Sequence, residues 1–344
     1  MPSLPARPDF QQLRHQARDL LRAAQGGDAT ALARVHAVGT EVGLANAQLA
    51  VAREYGFTSW TRLKIEVDRR ETLDDVDVAK LADLLAREPR LATAEMTQWC
   101  DHPLGASPLN YVAMLRYDTS RDIWRDVPGA AALARALLAA GAPVDGEPGS
   151  PETPLITAAS YGDAEVAEVL IRAGADLEAT SSATSGGVPS GNALLHAAVF
   201  GMTEVVDVLV KAGARIRDLV IGAAAGDISR WPLGEASPQQ CLLALLMAVD
   251  HERLTVIKAL VAAGTPVDGV DETWGRHPLR LAAANGRPAS VRCLLALGAD
   301  PNLRDADGLT PLELCRAGHP HHLPGTGHAE VENILEPVTA PDPA

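Results

Sequence analysis

The sequence predicts an all-α solenoid of repeated helix pairs, joined by hairpin fingers and preceded by a short helical cap. Three observations carry that expectation. One helical pattern recurs five times, as AALARALLAAGAPVDG (131–146), AEVAEVLIRAGADLEA (164–179), TEVVDVLVKAGARIRD (203–218), LTVIKALVAAGTPVDG (254–269) and ASVRCLLALGADPNL (289–303). A shorter pattern is found at SPLNYVAML (107–115), TPLITAASYG (153–162), ALLHAAVFG (193–201), HPLRLAAANG (277–286) and TPLELCRAG (310–318). The interval across the longer helix never changes: Gly162 to Gly174, Gly201 to Gly213, Gly286 to Gly298, and likewise Gly129 to Gly141 and Glu252 to Gly264.

Each element has a local reason. In the longer pattern apolar residues recur at i, i+3 and i+4 (Val166, Val169, Leu170; Val205, Val208, Leu209), which makes one buried stripe on a helix. The glycines at 141, 174, 213, 264 and 298 stand where a left-handed residue ends a helix. In the shorter pattern Pro sits at the first helical position, where its missing N–H costs nothing, and Ala-Ala pairs let helices approach closely.

Composition bounds the rest. The chain has 344 residues, 47% hydrophobic and 3% aromatic, so it folds around a core of Ala, Leu and Val. Four cysteines (Cys100, Cys241, Cys293, Cys315) without a C-x-x-C pair speak against a disulfide scaffold or zinc ribbon and suit a reducing cytoplasm. The N-terminus does not read as a signal peptide, and the longest apolar run, Cys241 to Val249, is about half of a membrane span. The formal net charge is −14: residues 1–70 hold 10 basic and 7 acidic residues, the remainder 20 and 37. An acidic body repels nucleic acid and anionic membrane and favours basic or neutral partners.

These repeats resemble the ankyrin repeat, with its Thr-Pro-Leu opening, Ala-Ala pair, mid-repeat Gly and Gly-Ala-Asp-x-Asn close, most closely at Thr153–Asp176 and His277–Asn302. The resemblance covers roughly 72–336 and implies about five to six repeats, some degenerate. Residues 1–71 are similar to a helical leader found ahead of ankyrin repeats in some bacterial proteins, and read here as a cap that shields the first repeat. Residues 337–344 read as a disordered tail. In the leader, Asp9 with Gln12 forms a capping-box pattern, and Thr58 or Ser59 starts the helix that carries Trp60, Leu63 and Val67. Arg14, Arg18 and Arg22 share a helical face and read as a solvated face rather than a DNA contact.

Closing glycines are spaced 33, 39, 51 and 34 residues apart, so extra residues lie outside the constant second helix. They fall near 116–128 and 319–327, inside repeats, and near 178–191 and 215–240, between them; the 222–240 stretch can hold a degenerate helix. Such insertions collect on one face of a solenoid, often the binding face.

Three constellations invite chemistry. Cys315, His319, His321, His322 and His328 offer metal-ligand side chains, but their spacing matches no standard zinc site, and a polar insertion is the simpler reading. Asp101 and His102, with Asp122, Asp227 and the tryptophans, would furnish a pocket if the insertions built an enzyme or small-molecule site, although no catalytic motif is present. His196 reads as a tie between neighbouring repeats, as the resemblance implies.

Aromatic placement is the stronger functional signal. The resemblance implies that the residue before each mid-repeat Gly is exposed on the concave face; here these are Tyr161, Phe200, His251 and Asn285. Trp99, Trp231 and Trp274 fall in fingers or inserted loops, and Trp124 in the 116–128 insertion. Aromatic side chains gathered on one surface are typical binding anchors. The sequence therefore predicts a cytoplasmic, non-catalytic scaffold, without cofactor or metal, whose concave face and fingers bind a protein with a basic or apolar patch. Nucleic acid and membrane are not expected partners.

Overall fold

The computed structural model describes residues 4–5, 7–96, 107–118, 121, 123–272, 275–305, 307–317 and 326–340. The described residues are all-α apart from one hairpin of two-residue strands and an isolated antiparallel bridge between Thr180 and Asn192. Two compact units are present: residues 1–112 with 128–142, and residues 113–127 with 143–344.

The first unit contains α1 (Phe10–Gln25), α2 (Ala29–His36), α3 (Leu44–Glu54), α4 (Trp60–Asp74), α5 (Val78–Arg87), most of α6 (Pro108–Ala113) and α7 (Ala130–Ala139). Its helices start on short polar side chains that accept an otherwise unpaired amide: Asp28 from Ala31 (2.7 Å), Ser59 from Arg62 (3.2 Å) and Asp77 from Lys80 (2.9 Å). Asp9 caps α1 through the amide of Gln11 rather than Gln12, so the expected capping box is a simple cap. Leu13, Ala17, Leu20, Val35, Ala47, Val51, Leu63 and Val67 form one apolar cluster among α1–α4. On α4 a buried Glu66 receives Arg69 and Arg70, and Arg69 also donates to the carbonyl oxygens of Leu91 (3.2 Å) and Ala94 (2.7 Å), fastening the segment after α5. Removing one partner of such a buried set leaves an uncompensated charge.

The second unit opens with the hairpin β1 (Tyr117–Asp118) and β2 (Ile123–Trp124), paired antiparallel with Tyr117 opposite Trp124. Helix pairs follow: α8 (Pro154–Ser160) with α9 (Ala164–Arg172), and α10 (Ala193–Val199) with α11 (Thr203–Lys211). Next comes α12 (Leu219–Ala225), then α13 (Pro238–Asp250) with α14 (Leu254–Ala262), α15 (Pro278–Ala284) with α16 (Pro288–Ala296), and α17 (Pro311–Ala317) with α18 (His328–Leu335). First helices stack on first helices (α8 on α10, α13 on α15, α15 on α17), and second on second (α9 on α11, α14 on α16, α16 on α18). Ala-Ala pairs make this possible: Ala158, Ala159, Ala197, Ala198, Ala282 and Ala283 are all fully buried.

The insertion at 215–240 does hold a helix. α12 packs against α10 and α11 and, along its length, against α13. The turn after it is closed by Trp231, whose ring lies so near Gly222 that a Cβ there would meet it at 2.6 Å. Residues 337–340 are ordered by local bonds and by the Ala340 amide donating to Asn302 Oδ1 (2.7 Å), so the expected tail is structured that far.

The glycine between the two helices of a repeat takes positive φ: +68° at Gly162, +69° at Gly201 and +62° at Gly286. The fourth repeat places Glu252 there, with φ +53°. A non-glycine residue in that region costs about 1 kcal/mol, and Glu252 offsets it by accepting the amide of Ala289 (2.8 Å) in the first turn of α16.

Candidate protein-docking face

The four residues singled out before the mid-repeat turn are structurally equivalent. Tyr161, Phe200, His251 and Asn285 are the C-cap residues of α8, α10, α13 and α15. Their environments differ sharply. Phe200 is 39% exposed, beside the equally exposed Val199. Tyr161 and Asn285 are half-buried. His251 is 1% exposed, which corrects the expectation of an exposed side chain. Its Nε2 lies 2.9 Å from the Ala198 carbonyl oxygen and its Nδ1 3.0 Å from Thr203 Oγ1, so the ring is turned back into the preceding repeats. A carbonyl only accepts, so Nε2 carries the proton. Burial pushes the imidazole below the ordinary histidine range, against the opposing pull of Asp250.

The hairpin insertion builds an aromatic cluster on the first cap. Tyr117 and Trp124 face one another across the strands with centroids 5.0 Å apart, and both reach Tyr161, at 6.1 Å and 6.0 Å. Rings at these separations touch edge or face and hold one another in place. Two arginines fix the hairpin beneath: Arg116 donates to the Gly162 carbonyl oxygen, and Arg125 Nε donates to that of Leu115 (2.9 Å). Arg116 also lies 3.5 Å from Asp126. Tyr117 and Arg116 were not candidates on sequence grounds. An aromatic residue seven positions before a tryptophan, inside an insertion, was the available signal, because only strand pairing makes the two face each other.

Further along the row the face is polar and internally bonded. Asp250 Oδ1 accepts from Asn285 Nδ2 (2.8 Å) and Arg287 Nε (3.2 Å), while Arg287 donates to the Gly201 carbonyl oxygen (2.8 Å). Arg253 donates to Ala224 O (2.8 Å) and pairs with Asp207 (2.5 Å). Asn285 is thus already engaged.

His196 behaves as the sequence suggests. It is fully buried, with Nδ1 2.8 Å from Ser160 Oγ on α8 and Nε2 3.0 Å from the Val188 carbonyl oxygen in the 178–191 insertion. It ties two repeats and one inserted loop together. Burial lowers its pKa, outweighing the nearby Glu152.

The remaining candidates separate by position. Trp231 is a packing residue, since it plugs its own turn onto α12. Trp99, Asp101, His102, Asp122 and Trp274 lie outside the described residues, as do His319, His321 and His322. Asp227 accepts the amide of Ser229 (2.9 Å), an Asx turn that holds its carboxyl below the usual range. Cys315 is buried with its thiol pushed up by burial, and His328 already spends its Nε2 on the Ala284 carbonyl oxygen (2.9 Å). Among the described residues no group of three or more potential ligands could hold a metal ion. No helix among them is long and apolar enough to cross a membrane.

Stacked antiparallel helix pairs with glycine-closed turns define a helical-repeat protein. Residues 128–219 match a family model described as ankyrin repeats (3 copies), and residues 260–315 one described as ankyrin repeats (many copies). The chain is an ankyrin-repeat protein. It is similar to a BTB/POZ domain and ankyrin repeat-containing protein of Lotus japonicus, 36% identical over 108 residues, which cover 30% of this chain and 22% of that one. It is similar also to the Espin-like protein of Homo sapiens, 33% identical over 88 residues, covering 26% of this chain and 8% of that one. The matched stretches thus span less than a quarter of either relative. Among solved structures, the ankyrin repeat domain of human ASB11 aligns with 22% identity over 80% of this chain and 98% of that one, with a TM-score of 0.39.

Proposed function

We propose that this chain is a non-catalytic protein-interaction scaffold, and that the α8–α11 portion of the cap row, with the hairpin beside it, is its docking surface. The observation that supports this best is the Tyr117–Trp124–Tyr161 cluster lying one repeat from the exposed Phe200. Rings that are rigidly held and only half covered lose little entropy on binding, which is what anchor residues require. The scaffold underneath is already satisfied, because the hairpin's arginines and the Gly162 carbonyl are paired within the chain. The partner is a protein with an apolar or basic patch, not nucleic acid or membrane, and the setting is the cytoplasm.

Photo-crosslinking tests the surface. A benzophenone amino acid placed at Phe200 in the full chain should trap a defined protein in host cells, while the same probe at Arg172, exposed at the end of α9, should not. Equal trapping at both positions, or none at Phe200, would overturn the assignment.

A further inference from the structure

The partner's chemistry is narrowed by what stands beside the two aromatic caps, an argument that rests on the docking reading above. Tyr161 and Phe200 are each followed by a left-handed glycine and then by a second helix with a glutamate in its first turn, Glu165 on α9 and Glu204 on α11. The offset from ring to carboxylate is four residues in both repeats. Both glutamates are exposed, and neither forms an ion pair among the described residues. The same positions in the fourth and fifth repeats hold Thr255 and Ala289 after His251 and Asn285, so ring and acid disappear together. Arg253 and Arg287 of those repeats are spent on Asp207, Asp250 and backbone carbonyls.

A ring with a free carboxylate close by in the chain suits a guanidinium better than any other side chain. Its plane stacks on the aromatic face while its N–H fork reaches the acid, which a lysine ammonium does less well. The charge of the body agrees: residues beyond 70 carry 37 acidic against 20 basic side chains. Spacing sets the register. Because α8 stacks on α10 and α9 on α11, the two ring–acid pairs are one helix spacing apart, about 8–10 Å. A polyproline II segment presents the same face every third residue, about 9 Å along. Its prolines would lie against Tyr117 and Trp124, as such segments do on aromatic platforms.

We infer that the docking surface takes an extended, proline-rich segment with two arginines three positions apart, one over Tyr161 and Glu165 and the other over Phe200 and Glu204.

The probes are synthetic ten-residue proline-rich peptides: one with Arg-x-x-Arg, one with both arginines replaced by citrulline, and one with the arginines adjacent. Fluorescence anisotropy with the full chain should show the first binding about tenfold or more tighter than either control, and weakening as salt rises. Glu165→Gln with Glu204→Gln should cost about tenfold in affinity for the first peptide and leave the melting temperature unchanged. Equal binding of the citrulline peptide, affinity indifferent to salt, full affinity in the Gln double variant, or no binding of the Arg-x-x-Arg peptide would each overturn the inference. The salt series needs no variant, so a folding failure cannot mask the answer. A protein crosslinked at Phe200 together with failure of the peptide test removes the arginine chemistry and leaves the docking surface; no crosslink at Phe200 removes both.

Discussion

Helices α8–α11 and α13–α16 use the same repeat plan and put opposite chemistry on equivalent positions. In the first stretch the C-caps are Tyr161 and Phe200, rings left partly open. In the second they are His251 and Asn285, both bonded into the protein. The mid-repeat turn itself is conserved in geometry, since Glu252 adopts the left-handed conformation of Gly162, Gly201 and Gly286. Geometry at these turns therefore belongs to the scaffold, and the side chain one residue earlier decides whether a repeat leaves a ring partly exposed, as the proposed docking surface requires, or braces its neighbours.

The largest expected effect lies in the braced stretch. His251→Ala removes a fully buried ring and both its hydrogen bonds, and should lower the unfolding free energy by about 2–3 kcal/mol in urea titrations, with no loss of affinity for the docked partner. A stable variant with weakened binding would reverse the assignment of the two stretches. In the open stretch Phe200→Ala should do the opposite, costing about 1–3 kcal/mol of binding and less than about 0.5 kcal/mol of stability. Tyr161→Ala should weaken binding similarly and also cost about 1 kcal/mol of stability, because it supports Tyr117 and Trp124.

Acid should sharpen the same contrast. His196 and His251 are held neutral by burial, with folded pKa values below the unfolded value of about 6.5. Below that value the unfolded chain binds more protons than the folded one. Their contribution to stability is therefore fully present above the unfolded pKa and is lost as pH falls from there toward their folded values. Urea midpoints measured from pH 8 to pH 5 should decline mainly below about 6.5, and His251→Gln should reduce the slope. An unchanged slope would mean that His251 is already charged in the fold.

Two smaller effects probe the turns. Asp250→Asn leaves Arg287 with a weaker partner and should cost about 1 kcal/mol, and combining it with Asn285→Ala should cost less than the sum, since both variants touch one bond. Glu252→Gly relieves the left-handed strain and loses the cap on α16, two terms of about 1 kcal/mol each; thermal melting should therefore move little. Glu252→Ala keeps the strain, loses the cap and should be the less stable of the two.

Most of the helical array was legible in the sequence because its determinants are local. Apolar residues at helical spacing, Pro at first positions and glycine at left-handed ends specify where each helix begins, ends and buries its stripe. The equivalence of Tyr161, Phe200, His251 and Asn285 followed from that register, and the structure places all four at C-caps. Their exposure did not follow from it. A C-cap side chain can turn outward or back, and the partners that turned His251 inward, Ala198 and Thr203, are about fifty residues away in the chain. Trp231 misled for a related reason, since a tryptophan in a loop looks available until Gly222 on the neighbouring helix supplies its seat.

By itself, then, the sequence determined the helix pairs, their repeat register, the constant second helix and the positions of the insertions, all of which depend on periodicity and backbone preference within a few residues. Only the tertiary structure decided what those insertions do. It paired Tyr117–Asp118 with Ile123–Trp124 so that Tyr117 and Trp124 meet Tyr161, made α12 a packed helix, and spent Arg253, Arg287 and His251 on distant backbone and carboxylate partners. Such choices depend on which polar groups remain unpaired when helices from separate repeats meet, and that is settled by contacts between residues far apart in the chain.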